Sequence, residues 1–196
     1  MRQLVIYHGG SCADGFTAAW AIWKKLGDDA IYIPANYGTD PPSVEQDDHV
    51  IIVDFSYPRD VMIKLHKSVQ FLVLLDHHIT AREDLLDLPY CHFDLKKSGA
   101  MLAWKYMHDG IPAKELVYYV MDRDLWQFIL PGSREINQWL SCVPLTFKDW
   151  DEAVERLEED QEACINDGRA MLRLQSSYFQ QGHCLPIQQS YYQLTV

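Results

Sequence analysis

The run Phe71–His78, FLVLLDHH, constrains this chain more than any other stretch. Five apolar residues in succession, with Val among the leucines, describe a strand buried on both faces. Strands of that kind belong to parallel sheets, whose ligands gather outside the carboxyl ends of the strands. Asp76, His77 and His78 stand at that end, so a carboxylate and two imidazoles are delivered to the edge where a metal site would form. A lone histidine there would read as part of a polar loop. The cluster gains weight because other strands in the chain end in matching groups.

Those other strand-like runs are Leu4–Tyr7, Ala30–Pro34, His49–Phe55 and Tyr90–Phe93. Between them, helical spacing covers Phe16–Leu26 and Pro58–His66; a further helix opens at Thr80, with Glu83 completing a capping box, and another runs from Ser98 to His108. The alternation predicts an α/β fold over residues 1–142: a doubly wound, mostly parallel five-stranded sheet with helices on both faces. After Ala113 the pattern is helical, at Glu115–Arg123, at Ile136–Leu140 and in one long amphipathic helix from Asp149 through Glu162 toward Leu172, its acidic face solvated. Residues 143–178 read as a helical connector, and 179–196 as a strand-like segment that would begin a second domain.

Composition narrows the function. A net charge of -11 and a pI near 5.0 argue against gripping long duplex nucleic acid, which needs a basic surface. A polyanionic substrate is still admitted where bound cations supply local positive charge. The cysteines Cys12, Cys91, Cys142, Cys164 and Cys184 are scattered with no CxxC pair, which disfavours a zinc ribbon and suits a reducing, cytoplasmic setting. The chain opens without a signal-peptide pattern, and no apolar stretch approaches the roughly 20 residues of a membrane span.

His8 after the first strand, Asp54 in the third and His77 after the fourth are candidate metal ligands; the first loop adds Cys12 and Asp14, and a later helix adds Asp122. Parallel strands bring such groups to one sheet edge. Mixed carboxylate and imidazole ligands suit manganese, iron or zinc better than calcium, and two metals sharing a carboxylate form a clamp for in-line displacement at phosphorus. Each residue has a plainer role open to it. Asp14 could cap the helix that follows, Asp54 could end a strand in a turn, and His8 could be a satisfied core histidine. His49, His66, His92, His108 and His183 fit no motif and read as structural, and Trp20, Trp23 and Trp104, at helical spacing, read as core. Arg123 and Trp126 read as packing residues near the site.

His8-xxx-Cys12-x-Asp14-Gly, VDF with Asp54, LDHH at Leu75–His78 and DRD at Asp122–Asp124 together resemble the four motifs of the DHH phosphoesterase superfamily, in order and spacing, over residues 1–130. That superfamily includes oligoribonucleases (nanoRNases), cyclic-dinucleotide phosphodiesterases, single-strand exonucleases and exopolyphosphatases. The resemblance implies two metals, manganese first, with Mg2+, Fe2+ or Zn2+ as substitutes. One would be held by His8, Cys12 and Asp54, the other by Asp14, Asp54, His77 and Asp122, with Asp54 bridging. His78 would contact the substrate phosphate, Asp76 would orient a histidine, and Lys97 and Ser98 at a helix N-terminus would favour an anion.

Two departures stand out. The superfamily has an aspartate where this chain has Cys12, which weakens the first metal site or turns it toward softer metals. The glycine-rich substrate-holding motif of a C-terminal DHH-associated domain is absent from this sequence. The implied activity is metal-dependent hydrolysis of phosphodiester or phosphoanhydride bonds in short oligonucleotides, by a chain that could pair as a homodimer. The alternatives are a cyclic-dinucleotide or small-nucleotide phosphohydrolase and a non-catalytic nucleotide-binding protein with an impaired metal site.

Overall fold

The computed structural model describes residues 1–180. In chain order its elements are β1 (Gln3–His8), α1 (Ala13–Leu26), β2 (Ala30–Ala35), β3 (His49–Val53), α2 (Arg59–Ser68), β4 (Phe71–Asp76), α3 (Ile79–Leu85), β5 (Cys91–Phe93), α4 (Gly99–Met107), α5 (Glu115–Asp124), α6 (Ser133–Leu140), α7 (Phe147–Glu159) and α8 (Gln161–Gln180). The strands form one sheet in the order β2-β1-β3-β4-β5, and every pairing is parallel. The expected doubly wound α/β architecture is therefore present, with a sheet that is wholly parallel. The strand-like segment read at 179–196 lies, from residue 181 on, outside the described residues.

Residue alternation explains why both faces are covered. Val5, Ile51, Val53, Val73 and Leu75 pack into one core with α1 and α4. Leu4, Ile6, Val50, Ile52, Leu72 and Leu74 pack into a second with Met62 and Leu65 of α2 and Leu85 of α3. Strands apolar on both faces can exist only between two helical layers. Pro34 is accommodated because β2 is an edge strand, where no ladder donor is required on the open side.

The first core extends well past the sheet. Trp150 of α7 is fully buried there beside Val154, Leu157, Cys164 and Ile165, and its indole N–H donates to Thr17 Oγ1 at 3.2 Å. Residues 147–165 thus pack onto α1 rather than standing apart from the sheet. Trp20 stacks on Trp104 at 5.8 Å between ring centroids and Trp23 on Phe147 at 5.2 Å, which gives these tryptophans the packing role read from their spacing.

Two local expectations are corrected. The long acidic helix is broken at Asp160, whose extended backbone (φ -147°, ψ 78°) ends α7 and whose carboxylate accepts the N–H of Ala163 to start α8. The capping box at Thr80 does not form. Asp76 turns the chain first, accepting the backbone N–H groups of His77 (2.7 Å) and His78 (3.3 Å), so α3 starts at Ile79 and Thr80 is already inside it. No helix among the described residues is long and apolar enough to cross a membrane.

Candidate metal centre

From β1 the chain passes to β2 on one side of the sheet, whereas β3 begins the progression to β4 and β5 on the other. The gap between β1 and β3 is the switch point, where doubly wound sheets open a crevice at their carboxyl edge. His8 is the last residue of β1, Asp54 follows β3, and His77 and His78 follow β4. Three neighbouring strand ends therefore deliver their terminal side chains to one place.

Asp54 is the centre of the arrangement. Its Oδ1 lies 3.1 Å from His77 Nε2, while its Oδ2 lies 3.7 Å from His8 Nδ1 and 3.5 Å from Cys12 Sγ. One carboxylate thus addresses two separate groups through its two oxygens. The residue has a left-handed backbone (φ +55°) and is nearly fully buried, with its N–H donated to Leu75 O at 3.0 Å. A non-glycine residue held in that region costs on the order of 1 kcal/mol, and such strain clusters at functional sites. One glycine makes room for it and another for His8. A Cβ on Gly99 would sit 2.4 Å from Asp54 Cβ, and one on Gly15 would sit 2.2 Å from the His8 carbonyl oxygen.

Asp14 lies in the first turn of α1 but serves a different helix. Its Oδ2 accepts the N–H of Gly99 at 2.6 Å and its Oδ1 that of Ala100 at 3.0 Å, so it caps α4 from 85 residues away. The same Oδ2 is 3.7 Å from His77 Nε2. This arrangement corrects the reading of Lys97 and Ser98 as a phosphate cradle. The N-terminus of α4 already holds an anion, the Asp14 carboxylate. Ser98 is fully buried and accepts the N–H of Met101, and Lys97 is paired with Asp94.

Asp122 is likewise displaced from its expected role. It is buried with its carboxylate turned to the loop after α5, accepting the N–H of Ile129 at 3.0 Å and of Leu130 at 3.2 Å. Its carbonyl accepts the N–H groups of Gln127 and Phe128, in a loop where Trp126 and Phe128 both have positive φ. The acid that reaches the site is Asp124, whose Oδ2 is 3.4 Å from His77 Nε2. Asp124 was missed because the DRD triplet offers two acids, and only the hydrogen bonding of the following loop decides between them.

The grouped ligand atoms are thus His8, Cys12 and Asp54 on one side and Asp14, His77 and Asp124 on the other, with Asp54, Asp76, His77 and His78 linking them; within each group the atoms lie within 4.8 Å of one another. Burial would raise the Asp54 carboxyl, but hydrogen bonds from His77 and His8 hold it well below the usual carboxylate range. Burial would favour a neutral His77, yet its hydrogen bond to Asp54 and the charges of Asp54, Asp14 and Asp124 raise it to about 10. Burial and the neighbouring charge of Asp54 raise Asp124 to about 6 and Asp14 well above its ordinary value. Three carboxylates crowd one imidazole, and a divalent cation is the group that would relieve their repulsion. The oxygen and nitrogen donors fit manganese, iron or zinc.

Cys12 is the odd member. It is the N-cap of α1, with Sγ accepting the N–H of Gly15 at 3.4 Å, and burial followed by the charges of Asp54 and Asp14 pushes its thiol well above the ordinary value. Asp76 is fully buried, and its Oδ1 accepts from His78 Nδ1 at 2.7 Å, which fixes the His78 ring. Its Oδ2 is buried without a hydrogen-bond partner among the described residues. Burial would lower His78, but the bond to Asp76 raises it. Among the histidines read as structural, His66 stacks on Tyr90 and His108 bonds to Ala21 O at 2.8 Å.

No family model matches the sequence. An uncharacterized protein of Acanthamoeba polyphaga mimivirus, R106, is 28% identical over 190 residues, covering 88% of this chain and 44% of that protein. The chain therefore spans less than half the length of this relative. A crystal structure of an uncharacterized protein from Helicobacter pylori G27 superposes with a TM-score of 0.61 at 17% identity, covering 94% of this chain and 64% of that one. That likeness extends to the fold: the five-stranded parallel sheet with its helical layers is an architecture this chain shares with a solved protein.

Proposed function

We propose that this protein is a metal-dependent phosphoesterase that hydrolyses phosphodiester or phosphoanhydride bonds, with short oligonucleotides as substrate. The observation that carries the reading is the placement of Asp54, whose two oxygens face two distinct groups of ligand atoms at the switch point of the sheet. His8, Asp54 and Cys12 would hold one metal, and Asp14, Asp54, His77 and Asp124 the other. Bound divalent ions would supply a hydroxide nucleophile near neutral pH and offset charge on the phosphoryl oxygens.

The remaining work falls to the chain. Asp76 holds Nδ1 of His78 and stabilises the charged ring, leaving Nε2 as the donor toward a phosphate oxygen or leaving group. His78 is partly exposed, with 36% of its side chain accessible, so a substrate can reach it. Backbone anchoring of Asp14 through α4 keeps its carboxylate in place without a mobile loop.

A second reading draws on Cys12. A protonated thiol is a poor ligand, so a protein retaining only the second metal would bind nucleotides without turning them over. Assays with manganese on short RNA, cyclic dinucleotides and pyrophosphate separate the two. Multiple turnover of one class, abolished in Asp54→Ala, is the expected result. Stoichiometric binding with the ligand released unchanged would favour the binding protein. Activity of Asp54→Ala within about tenfold of the parent, only ~1.4 kcal/mol in the barrier, would remove Asp54 from the centre.

A further inference from the structure

Next to the metal centre the loop after β3 and the start of α3 enclose a cleft of about 230 Å³, with Tyr37, Phe55, Tyr57, Thr80 and Asp84 among its walls. Phe55 and Tyr57 are buried and meet at right angles, 4.8 Å between centroids, while Tyr37 is 57% exposed and tilts over Phe55 at 5.1 Å. Tyr37 also sets its ring against His8 at 5.5 Å and His78 at 6.5 Å, so one aromatic side chain spans from the cleft to the candidate metal and phosphate ligands. Tyr57 is 3% exposed, and its hydroxyl is buried with no hydrogen-bond partner among the described residues. An unmet buried hydroxyl is costly, and it marks a place where another polar group belongs.

We propose that this cleft is a nucleobase subsite that receives the base flanking the scissile phosphate, an assignment that rests on the phosphoesterase reading for the identity of that phosphate. The size fits. Pockets for drug-sized ligands run from roughly 300 to 1,000 Å³, so this open cleft has room for a single heterocycle. The chemistry fits as well. The accessible face of Tyr37 offers a stacking surface that every base can use. The exposed Thr80 hydroxyl donates and accepts, the exposed Asp84 carboxylate accepts from an amino N–H as carboxylates do from cytosine N4, and the Tyr57 hydroxyl, buried in the wall, is a further donor and acceptor that a base reaches as that wall yields. Bases with an exocyclic amino group, adenine, guanine and cytosine, are therefore favoured over uracil. Stacking against Tyr37 would carry the attached phosphate toward His78, which makes Tyr37 and Tyr57 determinants of substrate class rather than of bond cleavage.

The test compares an adenine-bearing dinucleotide with its abasic counterpart, with manganese and the full chain, in Tyr37→Ala, Tyr57→Phe and Asp84→Asn. Tyr37 is exposed and Tyr57→Phe keeps the buried ring, so both variants leave the core intact; melting curves check this. The ratio of kcat/KM for the two substrates is expected to fall about tenfold or more in Tyr37→Ala and about threefold or more in Tyr57→Phe, mainly through KM. In Asp84→Asn the preference for adenine over uracil is expected to shrink. Unchanged ratios, or equal losses on the abasic substrate, would overturn the assignment. If neither compound is cleaved, the phosphoesterase reading fails, and equilibrium dialysis of AMP then decides the cleft by itself. Weaker AMP binding in Tyr37→Ala and Tyr57→Phe upholds it as a base site, and unaltered binding refutes it.

Discussion

Replacing Asp124 by Asn should change stability in opposite directions with and without metal. In the metal-free protein the Asp124 carboxyl titrates near 6 instead of 3.8, because burial and the charge of Asp54 oppose its ionisation. A folded-state pKa raised above the unfolded value means that the native state binds more protons between the two, so stability falls as pH rises through that window. The penalty is absent below about pH 4 and fully present above about pH 6. For an isolated group the displacement is worth at most about 3 kcal/mol. The side chain is 27% exposed, and solvent screening reduces the figure to about 1–2 kcal/mol. Asp124→Asn removes this cost, so chelator-treated protein at pH 7.5 should gain about 1 kcal/mol, with no gain at pH 4. Manganese reverses the order. At a hundred times its Kd a metal stabilises the parent by about 2.7 kcal/mol, and the variant, lacking one ligand, should lose most of that increment. Urea unfolding in chelator and in excess manganese, at both pH values, reads all four quantities. A metal-free variant less stable than the parent at pH 7.5, or one with the full manganese increment, would refute the placement of Asp124 in the centre.

Asp122→Ala should instead destabilise with or without metal, by about 1–2 kcal/mol, because it removes the buried carboxylate that takes the N–H groups of Ile129 and Leu130; a chelator-dependent effect in denaturation curves would contradict this. Gly99→Ala forces a methyl group against Asp54, 2.4 Å from its Cβ, and should cost about 1–3 kcal/mol while abolishing the manganese-induced shift in Tm. Cys12→Asp keeps an N-cap acceptor for the Gly15 N–H and adds a hard oxygen donor, so manganese affinity by calorimetry and manganese-dependent turnover should both rise; no gain in either would make Cys12 a spectator.

Much of the fold was legible because buried strands are short, apolar and bounded, as in Leu4–Tyr7 and Phe71–Leu75, and because parallel topology then brings their ends together. His8, Asp54 and His77 were legible for the same reason, each sitting at or just beyond a strand end. The failures share a physical cause. Which acid of Asp122–Asp124 faces the site depends on where the next loop needs a carboxylate, and that is settled by backbone N–H groups seven and eight residues after Asp122. The α4 N-terminus looked open to an anion because, beside the local Ser98 cap, its first two N–H groups are taken by Asp14, and long-range capping leaves no local pattern. The break at Asp160 lay inside apolar spacing that runs unbroken from α7 into α8, so periodicity alone could not find it. Tyr37 and Phe55 showed no signal, since isolated aromatics beside a strand read as core.

The cap that joins Asp14 to α4 has a thermodynamic consequence. Its two hydrogen bonds end on the amides of Gly99 and Ala100, and the oxygen that takes the first also faces His77. A cation that draws on this carboxylate must share it with those amides, and fraying of the first turn of α4 must release it. Opening of that turn and departure of a bound metal would therefore be one linked equilibrium. Hydrogen exchange at the Gly99 and Ala100 amides becomes a report on metal occupancy from residues that would not themselves touch the ion. Because α4 lies against α1, which carries Cys12 at its cap and Asp14 in its first turn, the candidate metal centre draws on the starts of two helices that pack against each other.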